Sequence, residues 1–195
     1  MVHYYSEEQE GEKREGKLLV WIKGRYYELY TLSGIFSWRK LDKGTKLLAE
    51  NMIIKKGWRV LDMGCGYGIL GIVAWDRGAK EVVFVDRNPR AVEAASVNKD
   101  KYGVKGDVIQ SNLYENVKGK FNTIISNPPI TAGMETCLKL IEGAKKHLKK
   151  GGLLQIVARH KKGGKRLMEK IMEVFGNCEV LAKRGGYWLY LSKNF

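Results

Sequence analysis

From Trp58 onward, short apolar runs and amphipathic stretches take turns along the chain. The runs at 58–61, 81–85, 107–110, 121–126 and 153–158 have strand length, which predicts buried strands. Between them, residues 69–77, 90–102, 136–148 and 164–175 predict helices with apolar side chains at helical spacing. Asn88 and Pro89 predict the N-cap and first residue of the second helix, and Gly103 its stop. Little helix follows the strand at 107–110. Two last strands, 178–183 and 187–192, flank Arg184-Gly185-Gly186, so they pair as an antiparallel hairpin. The pattern predicts a Rossmann-like, doubly wound α/β fold, with a mostly parallel seven-stranded sheet ending in an antiparallel hairpin.

Ahead of that unit, residues 17–32 alternate through Leu18, Val20, Ile22, Tyr26, Glu28 and Tyr30 around Lys23-Gly24-Arg25. This predicts an N-terminal β-hairpin extension. Residues 1–16 read as a mobile acidic tail with five glutamates in 6–16, leaving 17–195 as a single domain. The loop 33–45 mixes Gly34, Ser37 and Gly44 with apolar Ile35, Phe36 and Trp38. Such a loop either covers a ligand or receives a base, with Phe36 and Trp38 as the candidates, or it tucks onto the core. Thr45 is the expected N-cap of a helix striped by Leu47, Leu48 and Ile53.

The candidate chemistry starts at Asp62. Asp62, Gly64, Cys65, Gly66 and Gly68 follow the first strand of the alternating unit and open its first helix. Glycine is required where backbone takes positive φ or a ligand approaches closely. A strand, a glycine turn and a helix N-terminus together make a ligand site. Gly66, Gly68 and Gly71 also fit a dinucleotide fingerprint, so an NAD site remains an alternative. The next strand ends in Asp86, followed by Arg87, where a carboxylate can bind ribose hydroxyls.

A second motif, Asn127-Pro128-Pro129-Ile130, follows the fourth strand of the unit at the sheet's ligand-binding edge. Two prolines remove two N–H donors and fix the chain, so carbonyls can face a ligand. The Asn127 side-chain oxygen is a further acceptor. Convergent acceptors suit an exocyclic amino group. They hold its hydrogens and aim its lone pair.

The order Asp62 … Gly68 … Asp86 resembles the class I S-adenosylmethionine (SAM) methyltransferases. In that family the turn wraps the methionine and ribose parts of SAM and the second acid binds the ribose. Asn127-Pro128-Pro129 resembles the motif of amino-methylating enzymes, which act on adenine N6, guanine N2 or a release-factor glutamine. Those enzymes carry an aromatic where this chain has Ile130. Ile130 can offer a flat apolar contact, or Phe36 or Trp38 can stack on the base instead. With Ser33–Thr45 and Ser111-Asn112-Leu113 added, the chain resembles the "methyltransferase small" domain of the RsmC-like rRNA guanine-N2 methyltransferases over roughly residues 15–193. That resemblance implies SAM at Asp62–Gly68, Asp86 and Asn112. It also implies Phe36, Asp42, Gly44 and Thr45 near SAM or its target, and catalysis by Asn127, Pro128 and Pro129.

The charge sharpens the choice of substrate. Thirty-five Lys and Arg against 21 acids give +14, which predicts a polyanionic partner, RNA first. Arg159, His160, Lys161, Lys162, Lys165 and Arg166 lie beyond a carboxyl edge and are the expected phosphate contacts. Lys145–Lys150 sit at a helix C-terminus on the opposite side, where solvated cations are favoured. Together with the charge, the resemblance implies guanine N2 in structured RNA as the substrate, small-subunit rRNA first. A protein glutamine methyltransferase, a DNA adenine methyltransferase and a non-catalytic RNA-binding module are the alternatives. No apolar run approaches the roughly 20 residues of a membrane span, and no apolar signal region opens the chain. Cys65, Cys137 and Cys178 show neither a disulfide framework nor metal-ligand spacing, which suggests a reducing cytoplasm.

Overall fold

Strands β3 (Arg59–Met63), β4 (Glu81–Asp86) and β6 (Phe121–Ser126) send alternate side chains to opposite faces of one sheet. Val60, Val82, Phe84 and Ile125 enter one core, whereas Leu61, Val83, Val85 and Ile124 enter the other. In this computed structural model, which describes residues 11–195, those two cores flank a seven-stranded sheet. Its order is β5-β4-β3-β6-β7-β9-β8, with β5 at Val108–Gln110 and β7 at Leu148–Arg159. β8 (Glu179–Arg184) and β9 (Tyr187–Lys193) are the antiparallel members, and the other neighbours pair in parallel.

Helices cover both faces. α1 (Lys43–Asn51), α2 (Ile69–Asp76) and α3 (Pro89–Lys101) bury their apolar residues in the first core. α4 (Met134–His147) and α5 (Lys165–Phe175) bury theirs in the second. Asn88 caps α3 through its side chain with Pro89 inside the first turn, as its sequence predicts.

The hairpin of β1 (Glu15–Ile22) and β2 (Arg25–Leu32) is a separate two-stranded sheet. Lys23 and Gly24 both take positive φ, the geometry of a two-residue hairpin turn. Asn98, fully buried on α3, accepts from Tyr30 N and donates to the Tyr30 and Tyr67 carbonyls at 2.8 Å each. One side chain thus ties the hairpin to the glycine turn.

Several boundaries differ from the sequence reading. β1 starts at Glu15, and Lys13 pairs with Glu93 on α3 at 2.6 Å, so residues 12–16 contact the domain. The rest of the expected acidic tail, residues 1–10, lies outside the described residues. β7 starts at Leu148, five residues early, because Leu148 pairs with Phe121 before a register shift. Lys149 and Lys150 are therefore exposed strand residues and not a helix end.

Candidate active site

The glycine turn is built on the ends of β3 and β4. Gly64 N and Cys65 N both donate to the Val85 carbonyl, at 2.8 and 2.9 Å. Gly64, Gly66 and Gly68 have φ of 70, 54 and 89°, which a side chain rarely tolerates. Gly66 N donates to Asp86 Oδ2 at 2.9 Å, so the second acid holds the turn directly. Asp86 Oδ1 accepts from Asn88 N at 2.9 Å. Burial pushes the Asp86 carboxyl above its usual range, against the pull of these backbone donors.

A cavity of about 960 Å³, partly open to solvent, lies over the turn. Gly64, Cys65, Gly66, Asp86, Arg87, Asn112, Asn127 and Thr45 all line it, whereas Gly68, expected among them, does not, because the side where its Cβ would stand faces Phe84 and Ala95 in the core. Its apolar walls add Ile35, Leu113 and Leu140, which sequence reasoning did not single out as ligand contacts. Ile35 is fully buried, and the loop carrying it is tied down by Asn88 Nδ2 to the Gly34 carbonyl and Arg90 Nη1 to the Ser33 carbonyl. Burial pushes the Cys65 thiol up, so it acts as packing. Asn112 spends its Nδ2 on Glu115 Oε1 at 3.0 Å, which leaves its oxygen to accept from a ligand amine.

Asp62 corrects the sequence reading. It is fully buried and does not line this cavity. Its Oδ2 accepts from Gly71 N at 2.9 Å, in the first turn of α2. The N-cap of α2 is Gly68, which has no side chain, so Asp62 satisfies that helix end from the strand below. Its Oδ1 has no partner among the described residues. Burial raises the Asp62 carboxyl from 3.8 to about 7, and the Asp86 charge adds to this.

A stability prediction follows. Between pH 4 and 7 the unfolded Asp62 is ionised while the native one still holds its proton, so native stability falls as pH rises. Asp62→Asn keeps an acceptor for Gly71 N and does not titrate. The variant's stability relative to wild type should rise by at least about 1 kcal/mol across that window, read by urea unfolding at each pH. A pH-independent difference would mean that Asp62 is ionised throughout.

A second cavity of about 790 Å³ adjoins the first, sharing Phe36, Asn127 and Pro129. Pro128, Ile130, Arg159, Lys162, Asp42 and Tyr187 also line it. Phe36 is 38% exposed and faces both spaces, whereas Trp38 lines neither. Trp38 packs over Gly16, where a Cβ would sit 3.3 Å from its ring, under the Arg39 guanidinium at 4.5 Å. In the loop 33–45, Phe36 thus faces the cavities and Trp38 the core.

His160 and Lys161 also fall outside both cavities. The His160 ring stacks on Trp188 at 3.6 Å and its Nδ1 meets Tyr190 Oη at 2.9 Å, which turns it toward β9. Lys161 is exposed beside it. The Pro128 carbonyl is less free than expected. It accepts from Ile130 N at 2.9 Å, leaving one lone pair for a ligand.

The cap of α1 is Asp42 and not Thr45. Asp42 Oδ2 accepts from Thr45 N at 3.0 Å. Thr45 Oγ1 and Asp42 Oδ2 each accept from Asn127 Nδ2 at 2.9 Å, and Tyr187 Oη donates to Asp42 Oδ1 at 3.2 Å. Tyr187 sits 60 residues beyond Asn127, and no local signal marked it.

The family model described as "Methyltransferase small domain" matches residues 26–191. YbxB of Bacillus subtilis (strain 168), named only as uncharacterized, is 32% identical over 198 residues, covering 98% of both chains. The ribosomal RNA small subunit methyltransferase C of Enterobacter sp. (strain 638) is 41% identical over 165 residues, covering 82% of this chain and 47% of that protein. The chain thus spans about half the length of the curated rRNA methyltransferases it matches. The fold is shared with the T. thermophilus 16S rRNA N2 G1207 methyltransferase (RsmC), solved with AdoMet and guanosine. The TM-score is 0.81 at 24% identity, over 96% of this chain and 52% of that one.

Proposed function

We propose, from the premise that this chain belongs to the methyltransferase small domain family, that it moves a methyl group from SAM to guanine N2 in structured RNA, small-subunit rRNA first. The observation that carries the reading is the meeting of two cavities at Asn127, one over the glycine turn and one opening toward Arg159 and Lys162. The first fits SAM. Gly64 and Gly66, both at positive φ, leave a cradle without side chains, Asp86 stands at the ribose end, and the oxygen of Asn112 is available for an adenine amine.

SAM supplies a methyl group on a sulfonium, whose departure leaves a neutral thioether. The chain's own work is alignment. Asn127 Oδ1, with the remaining lone pair of the Pro128 carbonyl, would accept the hydrogens of the target amine. That holds the amine and opposes its conjugation with the ring. Its nitrogen lone pair then points toward the first cavity. The amine proton leaves after the new N–C bond has formed, so no strong base is needed beforehand. Phe36 and Ile130 supply apolar contact to the base, while Arg159 and Lys162 meet phosphate.

Relatives of that name support RNA over protein as substrate, and so do the +14 charge and Ile130 in place of an aromatic. The enzyme would act in the cytoplasm, where rRNA is assembled into particles. The test offers labelled SAM with small ribosomal subunits, tRNA and release factor in parallel. Label recovered as N2-methylguanosine from the subunit is the expected result. Label only in release factor would keep the amine chemistry and overturn the RNA assignment.

A further inference from the structure

Asn127 is gripped on one side only. Its Nδ2 donates to Asp42 Oδ2 and to Thr45 Oγ1, each at 2.9 Å. An ionised carboxylate can only accept, so the amide nitrogen must face Asp42 and the oxygen must face away. Turning the amide over would set its oxygen against that carboxylate and lose both bonds. No donor among the described residues reaches Asn127 Oδ1, although Asn127 lines both cavities.

We infer that Asp42 is a positioning residue that sets the orientation of the Asn127 amide, so that Oδ1 alone is presented to the target amine. The inference rests on the proposed role of Asn127 as the acceptor. Asp42 is itself held by two further donors. Thr45 N holds Oδ2 at 3.0 Å as the cap of α1, Tyr187 Oη holds Oδ1 at 3.2 Å, and Gly44 provides the room. A Cβ at Gly44 would lie 2.7 Å from the Tyr187 ring and 2.9 Å from Asp42 Oδ2. Burial and the Asp42 charge both push the Tyr187 hydroxyl up, which keeps it a donor to Asp42. The same arrangement ties the loop bearing Phe36 to the strand end bearing Asn127, since Asp42 closes that loop.

Two substitutions separate positioning from capping. Asp42→Ser retains a side chain that caps helices well, but it is too short to reach Asn127. Asp42→Asn retains an acceptor at the Oδ2 position and turns its NH₂ to the Tyr187 oxygen. Asp42→Ser should lose about 100-fold in kcat while it still folds and binds SAM. Asp42→Asn should restore kcat to within about tenfold of wild type. A readout independent of substrate is the side-chain amide of Asn127, identified in ¹H–¹⁵N spectra by its loss in Asn127→Ala. Its two protons should exchange slowly in wild type and in Asp42→Asn, and rapidly in Asp42→Ser.

Wild-type kcat and slow amide exchange in Asp42→Ser would overturn the inference. Equal loss of kcat in both variants would also overturn it, by showing that the charge of Asp42 acts directly. Failure of the wild type to methylate any RNA would count against the proposed function alone, because the amide signals still test the positioning.

Discussion

Asn127→Ala should bind SAM and lose methyl transfer by roughly 10²–10³-fold, the scale seen when a single preorganised hydrogen-bonding group is removed from a reacting centre. The loss corresponds to about 3–4 kcal/mol of transition-state stabilisation. It should appear equally in kcat and kcat/KM, because the contact matters most when the amine is aligned for attack. SAM at 100 times its Kd should still raise stability by about 2.7 kcal/mol, since the glycine cradle and Asp86 are untouched. Truncation frees Thr45 Oγ1 and one acceptor site on Asp42 in a half-buried place that water can reach, so the fold should survive. The measurement pairs a single-turnover methyl-transfer assay with a SAM thermal shift. Normal transfer by the variant would remove Asn127 from the chemistry. Loss of the thermal shift would instead make it a cofactor contact.

The sequence revealed those parts of the site that depend on backbone conformation. Gly64, Gly66 and Gly68 do take positive φ, Asn88 and Pro89 do start α3, and Asn127-Pro128-Pro129 does follow β6 at the ligand edge. Each is a local constraint written in residue type. What stayed hidden depends on partners far apart in the chain. The sequence predicts the cap of α1 at Thr45, three residues beyond Asp42. The carboxylate of Asp42 caps it instead, while also collecting Asn127 from just past β6 and Tyr187 from β9. The direction of Asp62 is set by the turn it precedes, because it answers the missing side chain of Gly68 at the start of α2. Phe36 and Trp38 share one loop and one character. Only the bare backbone of Gly16 on β1 explains why Trp38 turns inward.

Gly71→Ala tests the packing beneath the site, and here local propensity and tertiary structure predict opposite signs. Gly71 lies within α2 without positive φ, so alanine should improve helix propensity by about 1 kcal/mol. A Cβ there would sit 2.2 Å from Phe84 Cε1 and 2.7 Å from Cζ, closer than non-bonded atoms can come. Phe84 has no room to retreat. It is fully buried in β4, and its ring also lies 3.3 Å from where a Cβ on Gly68 would be. Either the ring leaves its rotamer or α2 lifts from the sheet. We expect overpacking to win, with a net loss of about 3 kcal/mol or more. Lifting α2 would also lengthen the bond from Gly71 N to Asp62 and disturb the turn ending at Gly68, so SAM binding should weaken as well. Urea unfolding of Gly71→Ala, Phe84→Leu and the double variant decides the cause. If the ring is what the new methyl meets, the double variant should be less destabilised than the sum of the singles by at least about 1 kcal/mol. Strict additivity would place the damage elsewhere. A stabilised Gly71→Ala would mean that α2 and β4 stand further apart than the 2.2 Å approach implies.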